Sequence, residues 1–153
     1  MTDRTHAYYV RLVEEEYFGS VTRQDKAAIL ACFTEDARVT IYHGDNAPRL
    51  FGSDPGASPL AKFFDHLLAN FDPAFSEFVH FTDPTHDRCA VYFKVRLTPK
   101  TDSAYKEAGV LNLRNCNFFV CRDDKINDMT LYYANPGAAD VAGLAPTGFP
   151  KAE

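Results

Sequence analysis

The stretch "LNLRNCNFFVCRDDKINDMTLYY", residues 111–133, decides how the C-terminal half of the chain is built. Two runs rich in Leu, Phe, Val and Tyr flank the polar turn 122–125, a pattern that predicts an antiparallel β-hairpin. Its first strand carries polar residues on both faces: Asn112, Arg114 and Cys116 on one, Asn115 and Asn117 on the other. A half-buried strand ordinarily keeps its polar side chains on one face, so one of these two sets must lie inside the protein.

Length and composition indicate one soluble domain. The chain has 153 residues, 46% of them apolar and 24% charged, which is typical of a globular protein with a full hydrophobic core. A net charge of −5 and scattered Lys and Arg residues argue against a nucleic-acid partner. No apolar run approaches the ~20 residues of a membrane span. The N-terminus "MTDRTHAYYV" lacks the basic and apolar regions of a signal peptide, so we expect a cytoplasmic protein with no membrane partner.

The cysteines and histidines show no spacing typical of a metal site. The four cysteines include no CxxC pair, and the five histidines include no HxH or HExxH pair. We therefore predict neither disulfides nor a metal site. Thirteen Phe and eight Tyr remain as the main compositional signal. Such a chain can build either a bulky core or an aromatic-walled cavity, and composition does not choose between them.

The N-terminal half reads as three helices and one strand. Helical spacing of apolar residues predicts a helix over 6–19 that ends at Gly19, and a second over 22–33 with Thr22 as N-cap and Asp25 in the capping-box position. Alternation of Val39 and Ile41 with polar residues predicts a strand over 37–44. The Gly- and Pro-rich segment 44–58 is predicted to be a loop, and a third helix follows over 59–71 with Ser58 as N-cap.

From residue 75 onward the chain reads as antiparallel strands. On one of them Cys89, Val91, Phe93, Val95 and Leu97 alternate with polar residues, which places Lys94 and Arg96 on the outer face. Helices followed by strands predict an α+β fold, with the helices on one face of a curved antiparallel sheet. We assign residues 1–135 to one domain. Residues 136–153 form a Pro/Gly/Ala-rich tail that acts as a lid, a dimer strap or a disordered end.

Two motifs resemble the nuclear transport factor 2-like superfamily, and within it the SnoaL-like proteins. "YFGSVTRQDKAAILACFTEDARVTI" (17–41) is similar to the family's opening, and "FVCRDDKINDMTLYY" (119–133) is similar to its closing hairpin. The resemblance implies a cone-shaped sheet wrapped around the long third helix, with an apolar cavity open at one end. It is specific for fold and weak for activity, because this fold hosts isomerases, dehydratases, cyclases, hydrolases and non-catalytic modules.

The resemblance also suggests which face of the 107–121 strand lines the cone. We expect Phe118 and Val120 at the closed end, and Cys116, Arg114 and Asn112 towards the mouth. Asn115 and Asn117 would then face a partner subunit or solvent. A homodimer through this outer face is expected, since its members would otherwise expose an aromatic patch: Tyr92, Asn115, Asn117 and Phe119.

Three residues are candidates for catalysis. The resemblance to scytalone dehydratase and other SnoaL-like proteins marks His80 as a pocket acid/base, while a plain core histidine is the alternative. Tyr17 corresponds to the oxyanion-binding tyrosine of ketosteroid isomerase, with an aromatic core residue as the alternative. That enzyme's other two catalytic positions fall on Ile41 and near Cys116, which makes ketosteroid isomerisation doubtful.

Arg114 is the third candidate, because an inward guanidinium needs a carboxylate or an anionic ligand. Its expected partner is Asp36 or Glu107, and the alternative is a side chain that reaches out to water. The rest of the predicted pocket is formed by Val39 and eight substrate-binding residues: His43, Ile41, Phe64, Phe78, Asn112, Cys116, Met129 and Tyr133, the last at the rim.

Two functions therefore stay open. The first is a small cofactor-independent enzyme that performs dehydration, isomerisation or cyclisation on a hydrophobic oxygenated small molecule by acid/base chemistry. The second is a non-catalytic ligand-binding or assembly module of the same fold. The enzyme needs a titratable group beside a cavity of about 300 Å³ or more. The small subunit of a ring-hydroxylating dioxygenase shares the implied fold, but such chains are longer.

Overall fold

The structure, a computed structural model, describes residues 4–43 and 47–133. The side chains of His43 and Tyr133 are outside that description, as are the predicted domain end at 135 and the tail 136–153. In the described part of the chain no helix is long and apolar enough to cross a membrane.

Three helices form the N-terminal half. Helix α1 comprises consecutive α-helical, π-helical and α-helical stretches, His6–Val10, Arg11–Phe18 and Gly19–Thr22; α2 is Lys26–Ala31 and α3 is Leu60–Asn70. Gly19 does not end α1 as predicted, because its N–H donates to Glu14 and the helix continues. Thr22 is not the N-cap of α2. That position belongs to Asp25, whose Oδ1 accepts the Ala28 N–H at 3.1 Å.

One six-stranded sheet completes the fold. Its strands are β1 (Phe33–His43), β2 (Arg49–Gly52), β3 (Phe71–Asp83), β4 (Arg88–Pro99), β5 (Leu111–Arg122) and β6 (Lys125–Tyr133), in the order β2-β1-β6-β5-β4-β3. The predicted α+β class with a curved sheet is confirmed. Two details differ from the prediction. The β1–β6 pair is parallel, so the sheet is mixed. Segment 44–58 is not all loop, because it contains β2, which pairs with β1.

Helix α1 packs on the concave face of the sheet through Phe18. The Phe18 ring lies 4.6 Å from Phe75, 5.4 Å from Phe78 and 4.7 Å from Phe93, centroid to centroid. Phe75 and Phe78 are an odd number of residues apart, so a regular strand would place them on opposite faces. A bulge at Glu77, whose φ is +56°, shifts the register between Ser76 and Val79 and brings both rings to the helix.

The pairing of β4 with β5 decides which face of β5 is inside. The predicted inward set on β4 is confirmed: Cys89, Val91, Phe93 and Val95 are buried and Leu97 is half-buried. Residues directly opposite in an antiparallel pair point to the same face. Val91 pairs with Asn117, Phe93 with Asn115 and Val95 with Leu113. The inward set of β5 is therefore Leu113, Asn115, Asn117, Phe119 and Cys121.

Our choice of face for β5 was thus wrong. Asn112, Arg114, Phe118 and Val120 are exposed on the outer face, where Cys116 is half-buried. Asn115 and Asn117 are inside, at 4% and 1% exposure.

The first turn of α1 is tied to two turns of the sheet. The Tyr8 hydroxyl donates to Asp124 Oδ1 at 3.0 Å, and the Tyr9 hydroxyl donates to Asp87 Oδ1 at 2.9 Å. Arg4 pairs with both carboxylates. Burial, followed by the hydrogen bond to Asp124, raises the pKa of Tyr8, so this phenol stays a donor across the physiological range. These contacts fix where α1 begins relative to the sheet.

At Gly52, β2 comes so close to β1 that there is no room for a side chain. Its φ is +100°, and a Cβ there would lie 2.1 Å from the Ala37 carbonyl oxygen. Gly56 also has a positive φ, +77°, but a Cβ built there would have no atom within 4 Å.

We expect Gly56→Ala to lower the free energy of unfolding by roughly 1 kcal/mol because of its left-handed backbone alone. Gly52→Ala should cost more, because the clash adds to the same strain. Urea unfolding midpoints of the two variants compare these costs, and equal losses would contradict the close approach.

Candidate functional site

A cavity of about 40 Å³ lies on the concave side of the sheet, between α1, α3 and strands β3 to β6. We call this concave space, with the helices that fill it, the cone. Ten apolar residues line the cavity: Phe18, Val21, Phe63, Leu67, Phe75, Phe93, Val95, Leu97, Leu113 and Leu131. Three polar side chains join them, namely Tyr17, Asn115 and Asn117. Leu67, Phe75 and Leu97 are only half-buried, so the cavity extends towards the surface at their end.

Asn115 and Asn117 are the unusual members of this wall. Neither Oδ1 atom has a hydrogen-bond partner in the described part of the chain, although both are fully shielded from solvent. The Asn117 Nδ2 lies 4.0 Å from Met129 Sδ, a weak contact. An unpaired polar atom of this kind costs roughly 1–3 kcal/mol, so the two amides are expensive for folding. They are the strongest sign of a ligand in the cone.

Tyr17 is the one predicted catalytic residue that lines the cavity. The π-helical stretch of α1 presents it to the sheet, and its side chain is buried. Its ring makes edge contacts with Phe33, Phe64 and Phe119 at centroid distances of 5.6, 6.3 and 6.0 Å. These contacts hold the phenol against the wall. Among the lining residues it is the sole titratable group.

His80 is on the inward face of β3, opposite the buried Val91, but it is not among the residues that line this cavity. It lies beyond the bulge on β3, where its Nε2 is 2.8 Å from Glu14 Oε2 on α1. The His80 ring stacks on Phe78 with centroids 5.9 Å apart and planes inclined by 23°, and it makes an edge contact with His6 at 6.3 Å. These contacts join α1 to β3. A catalytic role for His80 stays a prediction that its position does not support.

Arg114 is exposed, and neither of its predicted partners is correct. Its Nη2 donates to Glu77 Oε2 at 2.7 Å, and its guanidinium lies 5.8 Å from the Tyr92 ring centroid. The hydrogen bond to Glu77 raises the pKa of Arg114. Asp36 binds Arg122 instead. Glu77 thus supplies the counter-charge for Arg114, so no anionic ligand is needed to explain this arginine.

The other predicted pocket residues fall into three groups. Val39, Ile41, Phe64 and Met129 are buried in the core but do not line the cavity, and Phe78 is half-buried beside Phe18. Asn112 and Cys116 are on the outer face, where burial raises the pKa of the Cys116 thiol. His43 and Tyr133 pair across β1 and β6, and their side chains lie outside the described part.

Sequence reasoning missed Asn115 and Asn117 as site residues. Once the β4–β5 register is known, the alternation on β4 identifies both residues as inward, because each amide lies opposite an inward residue of β4. Within residues 4–43 and 47–133, no three His, Cys, Asp or Glu side chains come together as metal ligands.

Comparison with known families supports the fold. A family model described as the SnoaL-like domain matches residues 15–129 of this chain. A comparison with curated proteins finds no match.

Several solved structures share the architecture. A candidate polyketide cyclase from Silicibacter sp. TM1040 is 25% identical, with a TM-score of 0.62, covering 83% of this chain and 90% of that one. A candidate polyketide cyclase from Xanthomonas campestris pv. campestris is 20% identical, with a TM-score of 0.65, covering 90% and 97%. The BvnE pinacolase from Penicillium brevicompactum is 11% identical, with a TM-score of 0.68, covering 90% and 94%. These similarities confirm the predicted fold.

The unpaired amides predict that apolar substitutions stabilise the protein. Asn117→Leu keeps the branched shape of the side chain and replaces the orphaned oxygen with a methyl group beside the cavity, so we expect the free energy of unfolding to rise by about 1 kcal/mol. Asn127→Leu is the matched control, because its Nδ2 donates to Thr34 Oγ1 at 2.9 Å and to Asp36 Oδ1 at 3.2 Å. That variant should lose stability. Chemical unfolding measures both, and a loss of stability in Asn117→Leu equal to that of Asn127→Leu would show that Asn117 is satisfied in the free protein.

Proposed function

This chain belongs to the SnoaL-like domain family, and from that membership we propose that it is a small enzyme that binds an apolar, oxygenated molecule in the cone. The proposed reaction class is dehydration, isomerisation or cyclisation without a cofactor. The proposed ligand contacts are Tyr17, Asn115 and Asn117, in place of His80 and Arg114.

The observation that supports this proposal is the pair of unpaired amide oxygens in an otherwise apolar wall. A cavity that served only packing would be more stable with Leu at these positions, because Leu has the branched shape of Asn, larger methyl groups that would fill the space and no polar atom. A bound molecule with hydrogen-bonding groups offsets the cost of the amides. Apolar walls with a few convergent polar groups are the usual composition of small-molecule sites.

Tyr17 is the proposed chemical group. A phenol on an apolar wall can donate a hydrogen bond to a substrate oxygen, and that bond strengthens as negative charge develops there. This is the electrophilic half of enolisation, dehydration or ring closure. The names of the similar proteins, polyketide cyclase and pinacolase, support an enzyme with an oxygenated carbon skeleton as substrate.

A non-catalytic binding module is the second candidate, and the size of the cavity favours it. At about 40 Å³ the cavity is far smaller than the ~300 Å³ of an ordinary small-molecule pocket. Aromatic rings from α1, α3 and the sheet occupy much of the cone. For this fold to act as an enzyme, the half-buried side chains of Leu67, Phe75 and Leu97 must move when the substrate enters.

We also propose a homodimer through the outer face of the sheet. Exposed apolar side chains lie on adjacent strands there: Val79, Phe81, Tyr92, Phe118, Val120 and Tyr132. The rings are in contact, since Tyr132 stacks on Tyr42 at 5.0 Å and meets the edge of Phe118 at 5.8 Å. Of the residues first assigned to this surface, Tyr92 is on it, whereas Asn115, Asn117 and Phe119 are inside. A contiguous apolar patch on a soluble protein is typical of an interface.

Filling the cavity tests whether the cone is the binding site. We expect wild-type protein to bind 1-naphthol, a fluorescent apolar molecule with one hydroxyl, in a saturable way. Leu113→Phe should weaken binding at least tenfold, because the added ring atoms take the space of the ligand. Leu50→Phe, an exposed position that does not line the cavity, is the control. Equal binding by both variants would place the ligand elsewhere.

Tyr17→Phe then separates the enzyme from the binding module. The variant should keep naphthol binding within about threefold. It should lower turnover of a substrate found among apolar hydroxyketones by roughly 10²–10³-fold, as loss of an oxyanion donor does. Turnover that survives the change, or no turnover of any such compound in the wild type, would favour the binding module.

Charge on the outer face tests the dimer. Phe118→Glu places a carboxylate in the middle of the apolar patch, and burying it against a second copy carries a large desolvation cost. We expect sedimentation velocity to show a dimer for the wild type and a monomer for this variant. Val110→Glu, an exposed apolar position before β5, should leave the dimer intact. A wild-type monomer at micromolar concentration would contradict the proposal.

A further inference from the structure

We infer that Asn117, with Asn115 beside it, selects ligands that carry a hydroxyl group, so that the molecules recognised in the cone are neutral alcohols or phenols with an apolar body. This inference rests on the proposed function, because it concerns the same cavity. It adds the chemical group that the cavity recognises.

The contact with Met129 favours one orientation of the Asn117 amide. Its Nδ2 faces Met129 Sδ at 4.0 Å, and Met129 is fully buried on the adjacent strand. Turning the amide over would bring Oδ1 towards the sulfur, where two acceptors would meet. The unpaired Oδ1 therefore points away from Met129, and Asn117 offers the ligand an acceptor. A ligand must bring a hydrogen-bond donor to satisfy it.

Asn115 adds a second, more permissive contact. It lies two residues away on the same face of β5, about 6.6 Å along the strand, and it also lines the cavity. In the described part of the chain its amide has no contact like that of Asn117 with Met129, so it can present either its oxygen or its N–H. A hydroxyl is both a donor and an acceptor. It can donate to Asn117 while it accepts from Asn115.

Charge excludes anionic ligands. The lining residues include no Lys, Arg or His, and apart from Tyr17 and the two amides the wall is apolar. A carboxylate or phosphate would enter this wall without a counter-charge, at a desolvation cost that two neutral amides do not offset. Ethers and ketones fail for another reason, since they bring no donor for Asn117.

The apolar body of the ligand has one direction in which to extend. Phe93 and Val95 close the wall on β4, whereas Leu67, Phe75 and Leu97 are half-buried. The hydroxyl would therefore lie at the amides, with the carbon skeleton towards these three residues. The cavity of about 40 Å³ accommodates the polar end and its first few atoms.

Phenol, anisole and toluene test this inference, because they share a ring and differ in the donor. Binding to the full chain is followed by shifts of the protein's methyl and Asn side-chain amide signals in NMR titrations. We expect phenol to bind roughly five- to tenfold more tightly than toluene or anisole, as one neutral hydrogen bond allows. Asn117→Leu should reduce this preference, because Asn115 alone is then left to bond the hydroxyl. The readout is the ratio of phenol to toluene affinity within the variant, since Leu also changes the size of the cavity. Asn112→Leu, on the outer face of the same strand, should retain it.

Each outcome has a distinct meaning. Toluene binding that Leu113→Phe blocks, without a preference for phenol, would overturn the inference and leave the cone as a binding site. A phenol preference of the same size in Asn117→Leu as in the wild type would also overturn it. Binding of none of the three probes would contradict the proposed function itself. If Asn117→Leu does not fold by circular dichroism, Asn117→Val serves the same comparison, because it too removes the acceptor.

Discussion

The packing of Phe18 on three rings of the sheet fixes how α1 lies in the cone, and the rest of the interior depends on it. Phe75, Phe78 and Phe93 surround this ring from two strands. Two of them reach it because the strand bulges at Glu77. The neighbouring residue, Tyr17, then faces Phe33, Phe64 and Phe119. Consecutive residues of one helix thereby contact both halves of the sheet, and the space left between them is the cavity.

Local patterns in the sequence were sufficient for the helices, the inward face of β4 and the fold class. They failed where a residue adopts a conformation that its type does not reveal. Glu77 has a positive φ that nothing in "FSEFVHF" indicates, so the register shift it causes could not be predicted. The short strand β2 depends on the close approach of Gly52 to the Ala37 carbonyl, which is a tertiary contact. The continuation of α1 past Gly19 depends on packing in the same way.

The face of β5 was predictable in principle, and the error has a physical explanation. Either face buries polar groups, so the question is which burial costs less. One face would bury the charged Arg114, while the other buries two neutral amides. Burying an ion costs far more than burying an amide, which favours the observed face. The family resemblance led us to give the arginine a ligand. The structure gives it Glu77, on the outer face, where water screens both charges.

The surroundings of His80 likewise depend on the conformation of its strand, which the sequence does not reveal. Its place in the strand sequence suggested a pocket histidine, and the bulge three residues earlier does put it on the inward face of β3, opposite Val91. The structure directs it to Glu14 on α1, and its partner is a half-buried carboxylate and not a ligand. The polar groups that do face the cavity are neutral. The proposed chemistry in this cone therefore depends on hydrogen bonds between the ligand and Tyr17, Asn115 and Asn117, more than on proton transfer by a histidine.

The cost of the two unpaired amides must be compared with the total stability of the fold. A domain of this size is stable by about 5–15 kcal/mol, and two orphaned amides at roughly 1–3 kcal/mol each use a large share of it. Leu at either position would fit the wall and relieve that cost. Retaining the amides is consistent with a ligand that restores their hydrogen bonds when it binds.

The same reasoning explains the small cavity, because an apolar wall without its ligand is most stable when Phe and Leu side chains close around the polar end. Leu67, Phe75 and Leu97 are the lining side chains that are only half-buried, so they are the ones that we expect to move when a ligand enters. Binding then exchanges contacts among these side chains for contacts with the ligand, while the amides gain the partners that the closed cone does not provide.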